Sequence, residues 1–455
     1  MRSPVPDRAA ATALGDALHS LGYEADTISD LIGDDVAERE EVVVAERRLS
    51  ESPLENVIRL LYLELPVAER KVDSSTAVAL LTLGLVTRDG DRLAPHARVV
   101  PVDETLLASD GFTRDAEDPP DYVATYTPTA RTCDLLTPRP RVKRALDVGT
   151  GSGIHALLAA RHARHVVAVD VNPRALAYTE LNAMLNGLDN VECRNGSFFD
   201  PVDGETFGLI TCNAPFVVSP EQRWAYRDSG FRGDDVTAHV VQQAAGHLED
   251  GGYATLLGSW LIVDDDAPEE RPAEWVRKSG CEAWILTSIE SDPLEHAASW
   301  NQSFFADAGT YAEALERWTR YIGELGARGV GEGAILLHRN GGRTSLRIDE
   351  IDEDTLEDAD AQIRRAFANR RRASDLLNIR LKRAMPLWIE HEMGRKSANV
   401  VLDSGTCSIL PTTYEAARIV DDLNGKKTLR KLGADTRAVK LCRELLGLGA
   451  LQIVD

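Results

Sequence analysis

The chain is 455 residues long and 43% hydrophobic, enough for two or three domains with buried cores. Its 51 Lys and Arg against 73 Asp and Glu leave a formal charge of −22, so no nucleic-acid partner is expected unless a local basic face offsets the repulsion of phosphate. No leader-like apolar run follows the first basic residue and no stretch approaches a membrane span, so a cytoplasmic protein without a membrane partner is expected.

Residues 1–115 read as a separate N-terminal domain. Ala10, Leu14, Leu18 and Leu21 share one face of an amphipathic helix. Helical stretches follow over 54–63 and 75–83. The latter runs into two short apolar strands around Asp89-Gly90, a hairpin signal. Helices followed by such a hairpin resemble a winged-helix fold. With so few basic residues on the last helix, a packing lid or a protein contact is favoured over DNA. An acid- and proline-rich linker over 115–121 leads into Tyr126-Thr127-Pro128-Thr129-Ala130-Arg131-Thr132, which fits a turn and a helix cap ahead of the core.

Residues 116–342 alternate strand and helix, with strands expected at 145–148, 166–171, 191–194, 207–212, 253–260, 281–288 and 334–339. That alternation implies an α/β fold with a seven-stranded, parallel, doubly wound sheet, whose ligands bind at the carboxyl ends of the strands. The first strand runs into Asp147-Val148-Gly149-Thr150-Gly151-Ser152-Gly153, and a helix opens at Ile154. Glycines there let the backbone turn tightly and approach a ligand closely. The spacing is G-x-G-x-G, not the dinucleotide G-x-G-x-x-G, and Asp147 stands inside the turn, which argues against NAD. Asp170 ends the second strand, where a carboxylate takes two hydrogen bonds from a ribose diol. The fourth strand ends in Asn213-Ala214-Pro215-Phe216.

Trp300, Phe304 and Phe305 lie between the last two expected strands, where aromatic clusters make core or wall a pocket. The cysteines at 133, 193, 212, 281, 407 and 442 are scattered, and His162 and His165 lack a third ligand, so neither a metal site nor a disulfide framework is expected. Residues 343–455 form a third, mainly helical unit. Its stretch 363–382 carries Arg364, Arg365, Arg370, Arg371, Arg372, Arg380 and Lys382, expected to pair with the protein's own carboxylates. The last residues repeat the helix, glycine and short-strand pattern of 80–86, as a second winged-helix-like module would.

With its three motifs in this order, the middle half of the chain resembles the class I S-adenosylmethionine-dependent methyltransferases. More narrowly it resembles their amide and amine N-methyltransferase branch, which carries Asn-Pro-Pro-Phe/Tyr after the fourth strand. The release-factor glutamine (HemK-like) group is similar, and Gly196-Ser197-Phe198-Phe199-Asp200-Pro201 looks like its segment after the third strand. The resemblance implies S-adenosyl-L-methionine as cofactor, held by Asp147, Gly149, Gly151, Gly153, Asp170, Ser197, Phe198 and Asn213, with Thr129 or Arg131 on the methionine carboxylate. It implies that the Asn213 side-chain oxygen and the carbonyl of Ala214, held extended before Pro215, accept the N–H bonds of the methyl acceptor while Phe216 offers it a flat face.

Two positions depart from the family pattern: Ala214 replaces its first proline, and Ser197 an acid. Adenine recognition is then left to a backbone amide, the Ser197 hydroxyl and packing by Phe198. A protein or peptide nitrogen is the expected acceptor. The alternatives are N- or O-methylation of a small molecule, and a non-catalytic protein that assembles or oligomerises through its flanking domains. O-methylation calls for a base, for which Asp228 and His239 are the candidates.

Overall fold

A computed structural model describes residues 3–33, 39–112, 119–221, 227, 230–264, 267–302, 307–370, 375–406 and 408–454. Asp228, Phe304, Phe305, Arg371, Arg372 and Cys407 lie outside the described residues. At the centre is one sheet of eight strands: β1 (Val142–Val148), β2 (Ala163–Asp170), β3 (Val191–Asn195), β4 (Phe207–Cys212), β5 (Leu248–Ile262), β6 (Glu282–Ser291), β7 (Gly329–His338) and β8 (Ser345–Glu350). Their order is β8-β6-β7-β5-β4-β1-β2-β3.

The seven expected segments are all strands of this sheet, but the sheet is neither seven-stranded nor parallel throughout. β7 runs antiparallel to both β5 and β6. The helices Pro293–Trp300 and Ala308–Glu324 pack against each other between β6 and β7, and so return the chain to the end it left. The extra strand, β8, pairs in parallel with β6 at the edge. Its Ser-Leu-Arg-Ile-Asp-Glu sequence is largely solvent-facing and lacks the apolar run of a buried strand. The sheet therefore runs on past residue 342, and the helix Ala359–Arg370 lies on its face through Ile363 and Phe367.

Both faces of the sheet are covered. Leu146, Val148, Val167, Val169 and Ile210 pack on one side against Val236, Val240 and Val241. The alternate residues Ala145, Val166, Ala168 and Leu209 pack on the other with Ala156 and Ala159, the period-2 pattern of a strand buried twice.

In the N-terminal unit Leu14 and Leu18 are fully buried. The strands Val86–Asp89 and Arg92–Pro95 form the expected hairpin, with Gly90 at φ 60°. A second hairpin, Ala97–Val102 with Thr105–Asp110, is bound to the helix α3 (Pro173–Leu185; α1 is Pro128–Leu136 and α2 Ile154–Ala160). Asn182 accepts the Ala108 N–H and donates to its carbonyl, each at 2.8 Å, and Asn186, just past the helix end, does the same for Leu106 at 2.8 Å. Two amides one turn apart thus stand in for a neighbouring strand.

The C-terminal unit has its own core, with Leu381, Val400, Leu402, Leu445 and Leu446 buried together. Arg365 and Arg370 do not pair with carboxylates as expected. They donate to the carbonyls of Gly449 (2.9 Å) and Ala283 (3.2 Å), sealing this unit to the sheet. Among the described residues no helix is long and apolar enough to cross a membrane, and no three His, Cys, Asp or Glu side chains are grouped to hold a metal.

Candidate functional site

The site is built on the turn after β1. Asp147 is buried beneath it and spends both carboxylate oxygens on the fold. One accepts the Thr150 hydroxyl at 2.7 Å and the Ala156 N–H at 3.2 Å, and the other the Thr211 hydroxyl at 2.8 Å. The carboxylate thereby fixes the turn to the first residues of α2 and to β4. Gly151 has φ 56°, and a Cβ there would point into open space. Its N–H donates to Asp170 at 2.9 Å, and its carbonyl accepts the Thr179 hydroxyl at 3.1 Å.

Asp170, at the end of β2, also accepts the Asn172 N–H at 2.8 Å. Burial pushes its pKa above the ordinary carboxylate range, and these two N–H groups partly offset the rise. Opposite, Phe198 sits at φ 46°, a backbone region that non-glycine residues rarely adopt. Its ring meets Phe231 and His239 edge-on at 5.7 and 5.6 Å.

Gly151, Asp170 and Phe198 line one cleft of about 610 Å³ at the carboxyl ends of β1, β2 and β4, a size usual for a cofactor pocket. Of the residues expected there, Thr129, Gly149, Gly151, Asp170, Ser197, Phe198, Asn213, Ala214, Pro215 and Phe216 line it. Asp147 and Gly153 lie behind the wall, Gly153 against Thr179. Arg131 is turned away, 3.4 Å from the Glu353 carbonyl. His239 backs Phe198 without lining the cleft.

Another wall of the cleft is the segment Tyr122–Pro128, held by a buried hub. Asp110 accepts the Val123 N–H (2.8 Å), the Tyr178 hydroxyl (3.0 Å) and the Arg174 guanidinium (2.5 Å). The N-terminal hairpin thus helps shape the cleft. The residues fit S-adenosylmethionine: an open glycine turn, a carboxylate at the end of β2, and an aromatic ring on the third-strand side.

The sequence reading missed the groups that hold the Asn213 loop. The Ser259 hydroxyl donates to the Phe216 carbonyl. His296, fully buried, bonds the Val218 carbonyl through Nε2 at 3.0 Å, so that nitrogen carries the proton. Its Nδ1 lies 3.3 Å from Glu332, which also accepts the indole N–H of the cleft residue Trp300 at 3.2 Å. Arg227, also on the cleft, stands over the Trp318 ring at 5.2 Å. The available signals were Ser259 and Glu332 themselves, polar residues inside the apolar or glycine-rich stretches 256–262 and 329–337.

Residues 133–261 match the methyltransferase small domain family, and residues 20–96 match a domain of unknown function. The chain is 34% identical over 165 residues to the ribosomal protein uL3 glutamine methyltransferase of Bradyrhizobium diazoefficiens, covering 33% of this chain and 52% of that protein. It is 32% identical over 130 residues to the release factor glutamine methyltransferase of Xylella fastidiosa, covering 26% and 47%. The chain thus spans about half the length of these relatives. Among solved structures, Trm5b from Pyrococcus abyssi superposes with a TM-score of 0.33 at 15% identity, over 56% of this chain and 62% of that one. Residues 133–261, which supply most of the cleft, form an S-adenosylmethionine-dependent methyltransferase domain similar to those of the release-factor glutamine group.

Proposed function

We propose that the protein transfers a methyl group from S-adenosylmethionine to a side-chain amide nitrogen of a protein, as the names of its glutamine methyltransferase relatives describe for them. The observation that carries this reading is the position of Asn213-Ala214-Pro215-Phe216 on the wall of the cleft that holds the glycine turn and Asp170. When bound, the cofactor supplies an activated sulfonium methyl. The chain has to hold the nitrogen in line with it and keep its lone pair available. An amide lone pair is delocalised, and an acceptor at each N–H turns it toward the methyl. The Asn213 oxygen and the Ala214 carbonyl are groups of that kind. Asp170 would take the ribose hydroxyls, and the Gly149–Ser152 turn leaves room for the methionine end.

O-methylation of a small molecule is the second reading, and it needs a base. Of the ionisable groups on the cleft among the described residues, Asp170 would take the ribose and Arg227 is a cation, and the candidates are then Tyr122 and His155, the latter buried on α2. Incubation with a glutamine-containing protein and mass spectrometry of the product tests the first reading. Asn213→Ala is expected to cut turnover roughly 100-fold with cofactor affinity within about a factor of three. Near-normal turnover in Asn213→Ala with inactive His155→Ala would replace the amide reading by the second one. We also read the N-terminal helices and hairpin as a winged-helix-like lid. Their support is the hairpin and the short strand Val67–Ala68 added to it.

A further inference from the structure

A second cavity, of about 450 Å³, lies at the seam between the central sheet and the C-terminal unit. Tyr253 of β5 and His338, the last residue of β7, wall it on one side. Arg365, Ala368 and Asn369 of the helix Ala359–Arg370 and Gln452 of the last strand, Leu451–Val454, close the other. β5 runs parallel to β4, with Tyr253 paired to Leu209, so the cavity is set back from the carboxyl ends that build the cofactor cleft. No residue lines both.

The lining holds one arginine and no acid. Arg365 spends its Nε–H on the Gly449 carbonyl at 2.9 Å, and among the described residues no carboxylate pairs with it, so the Nη donors of its fork remain for a ligand. Burial pushes its pKa down, against the pull of Asp358 and Asp360, as for a cation short of counter-charge. One helical turn on, Asn369 is 7% exposed and donates its Nδ2 hydrogens to the Leu446 and Leu451 carbonyls, each at 2.9 Å. Those two bonds fix which way the amide points. They leave its Oδ1 as an acceptor with no donor among the described residues, on the wall of a cavity, whereas buried acceptors are as a rule satisfied. His338 stacks on Tyr253 with 4.3 Å between the rings and 15° between their planes, and its Nδ1 is held by the Gly252 carbonyl at 3.1 Å, which gives the cavity a fixed flat wall.

We propose that this cavity binds a free α-amino acid, with its carboxylate on the Arg365 fork and its ammonium on the Asn369 Oδ1. A guanidinium fork matches a carboxylate through two parallel hydrogen bonds, and one positive charge balances one negative charge. A phosphate dianion would have only that cation, and would meet the field of Asp358 and Asp360. An α-amino acid carries its donor beside the carboxylate, and Arg365 and Asn369 are neighbours on one helix face at i, i+4. The side chain is left to the Tyr253–His338 wall, which favours an apolar or aromatic one.

Isothermal titration calorimetry on the full, cofactor-free chain tests this, with each standard L-amino acid as probe and inorganic phosphate and AMP beside them. At least one amino acid with an apolar or aromatic side chain is expected to bind. Its decarboxylated amine and its deaminated acid should each bind at least about tenfold more weakly, because each leaves one of the two protein groups unpaired. Ala368→Glu and Gln452→Glu put a like charge at exposed positions on the cavity and should weaken binding at least about tenfold. S-adenosylhomocysteine affinity should stay unchanged in both variants, because neither residue lines the cleft, and this also certifies their fold. Failure of every amino acid to bind at millimolar concentration, or tighter binding of phosphate or AMP, would overturn the proposal. So would binding that survives both substitutions, or binding lost in Gly149→Ala, which would put the amino acid in the cofactor cleft.

Discussion

The Cβ that Gly149 lacks would stand 2.8 Å from the Cβ of Ala214 and 3.1 Å from its Cα. The turn after β1 and the loop after β4 therefore share a contact, and Gly149 is at φ 69°, where a side chain is strained. Gly149→Ala is predicted to cost about 1–2 kcal/mol in backbone strain and to push the Asn213 loop out of place. Cofactor affinity and turnover should fall together, and adding Ala214→Gly should restore part of both. Calorimetry with S-adenosylhomocysteine and a turnover assay on the two single variants and the pair check this. Additive effects would show that the two loops are not coupled.

Asp147 makes a different prediction because its carboxylate faces the fold. Asp147→Ala leaves the Thr150 hydroxyl and the Ala156 N–H without their acceptor and the Thr211 hydroxyl with only the Leu146 carbonyl at 3.4 Å, at about 1–3 kcal/mol for a buried group left unpaired. Urea unfolding of the cofactor-free protein should show the loss. Saturating S-adenosylhomocysteine should raise the Tm of the variant, since ligand binding stabilises the native state. An unaltered unfolding midpoint would contradict the structural role assigned to Asp147.

The sheet was legible where strands are buried on both faces, because β1, β2 and β4 carry short apolar stretches (145–146, 166–169 and 209–210) that lead into a motif glycine, aspartate or asparagine. β8 was not, since an edge strand needs no apolar run. The direction of β7 was hidden as well, because it is decided by the helix pair ahead of it, not by its own residues. In the site, Gly151, Asp170 and Asn213 could be read because each stands at a strand end within a motif. Ser259, His296 and Glu332 could not, because they meet the loop only through the pairing of distant segments. Asp147 shows the opposite failure: it belongs to the motif, yet tertiary packing turns it away from the cleft.

Asp170 predicts a pH dependence of cofactor binding. Its pKa in the free protein is raised by burial, and ribose hydroxyls donate to the ionised carboxylate, so binding lowers that pKa. Affinity is therefore full above the raised value and declines as pH falls through it, approaching about tenfold per pH unit. The sign for folding is consistent. A carboxylate with a raised folded pKa favours the folded state below its ordinary pKa, and that contribution is lost as pH rises through the raised one. Titrations with S-adenosylhomocysteine between about pH 4 and 7 should show the decline, and Asp170→Asn should bind more weakly at neutral pH with a flatter profile. An identical profile in the variant would assign the dependence to another group.

The last prediction concerns the groups that aim the Asn213 loop. The Phe216 carbonyl is held by Ser259 and the Val218 carbonyl by His296, which is set in turn against Glu332. None of the three lines the cleft, so they act on the reaction only by positioning. A displacement of about 1 Å at a reacting group costs up to roughly 100-fold. Ser259→Ala and His296→Ala are accordingly predicted to lower kcat about tenfold or more while cofactor affinity stays within about a factor of three. His296→Gln keeps an N–H able to reach the Val218 carbonyl and should retain more activity than His296→Ala. A purely structural role would lower the Tm of both His296 variants and leave kcat unchanged in the fraction that remains folded. Measuring kcat, KM and Tm for the three variants separates these outcomes, and equal kcat in His296→Gln and His296→Ala would remove the Val218 hydrogen bond from the account.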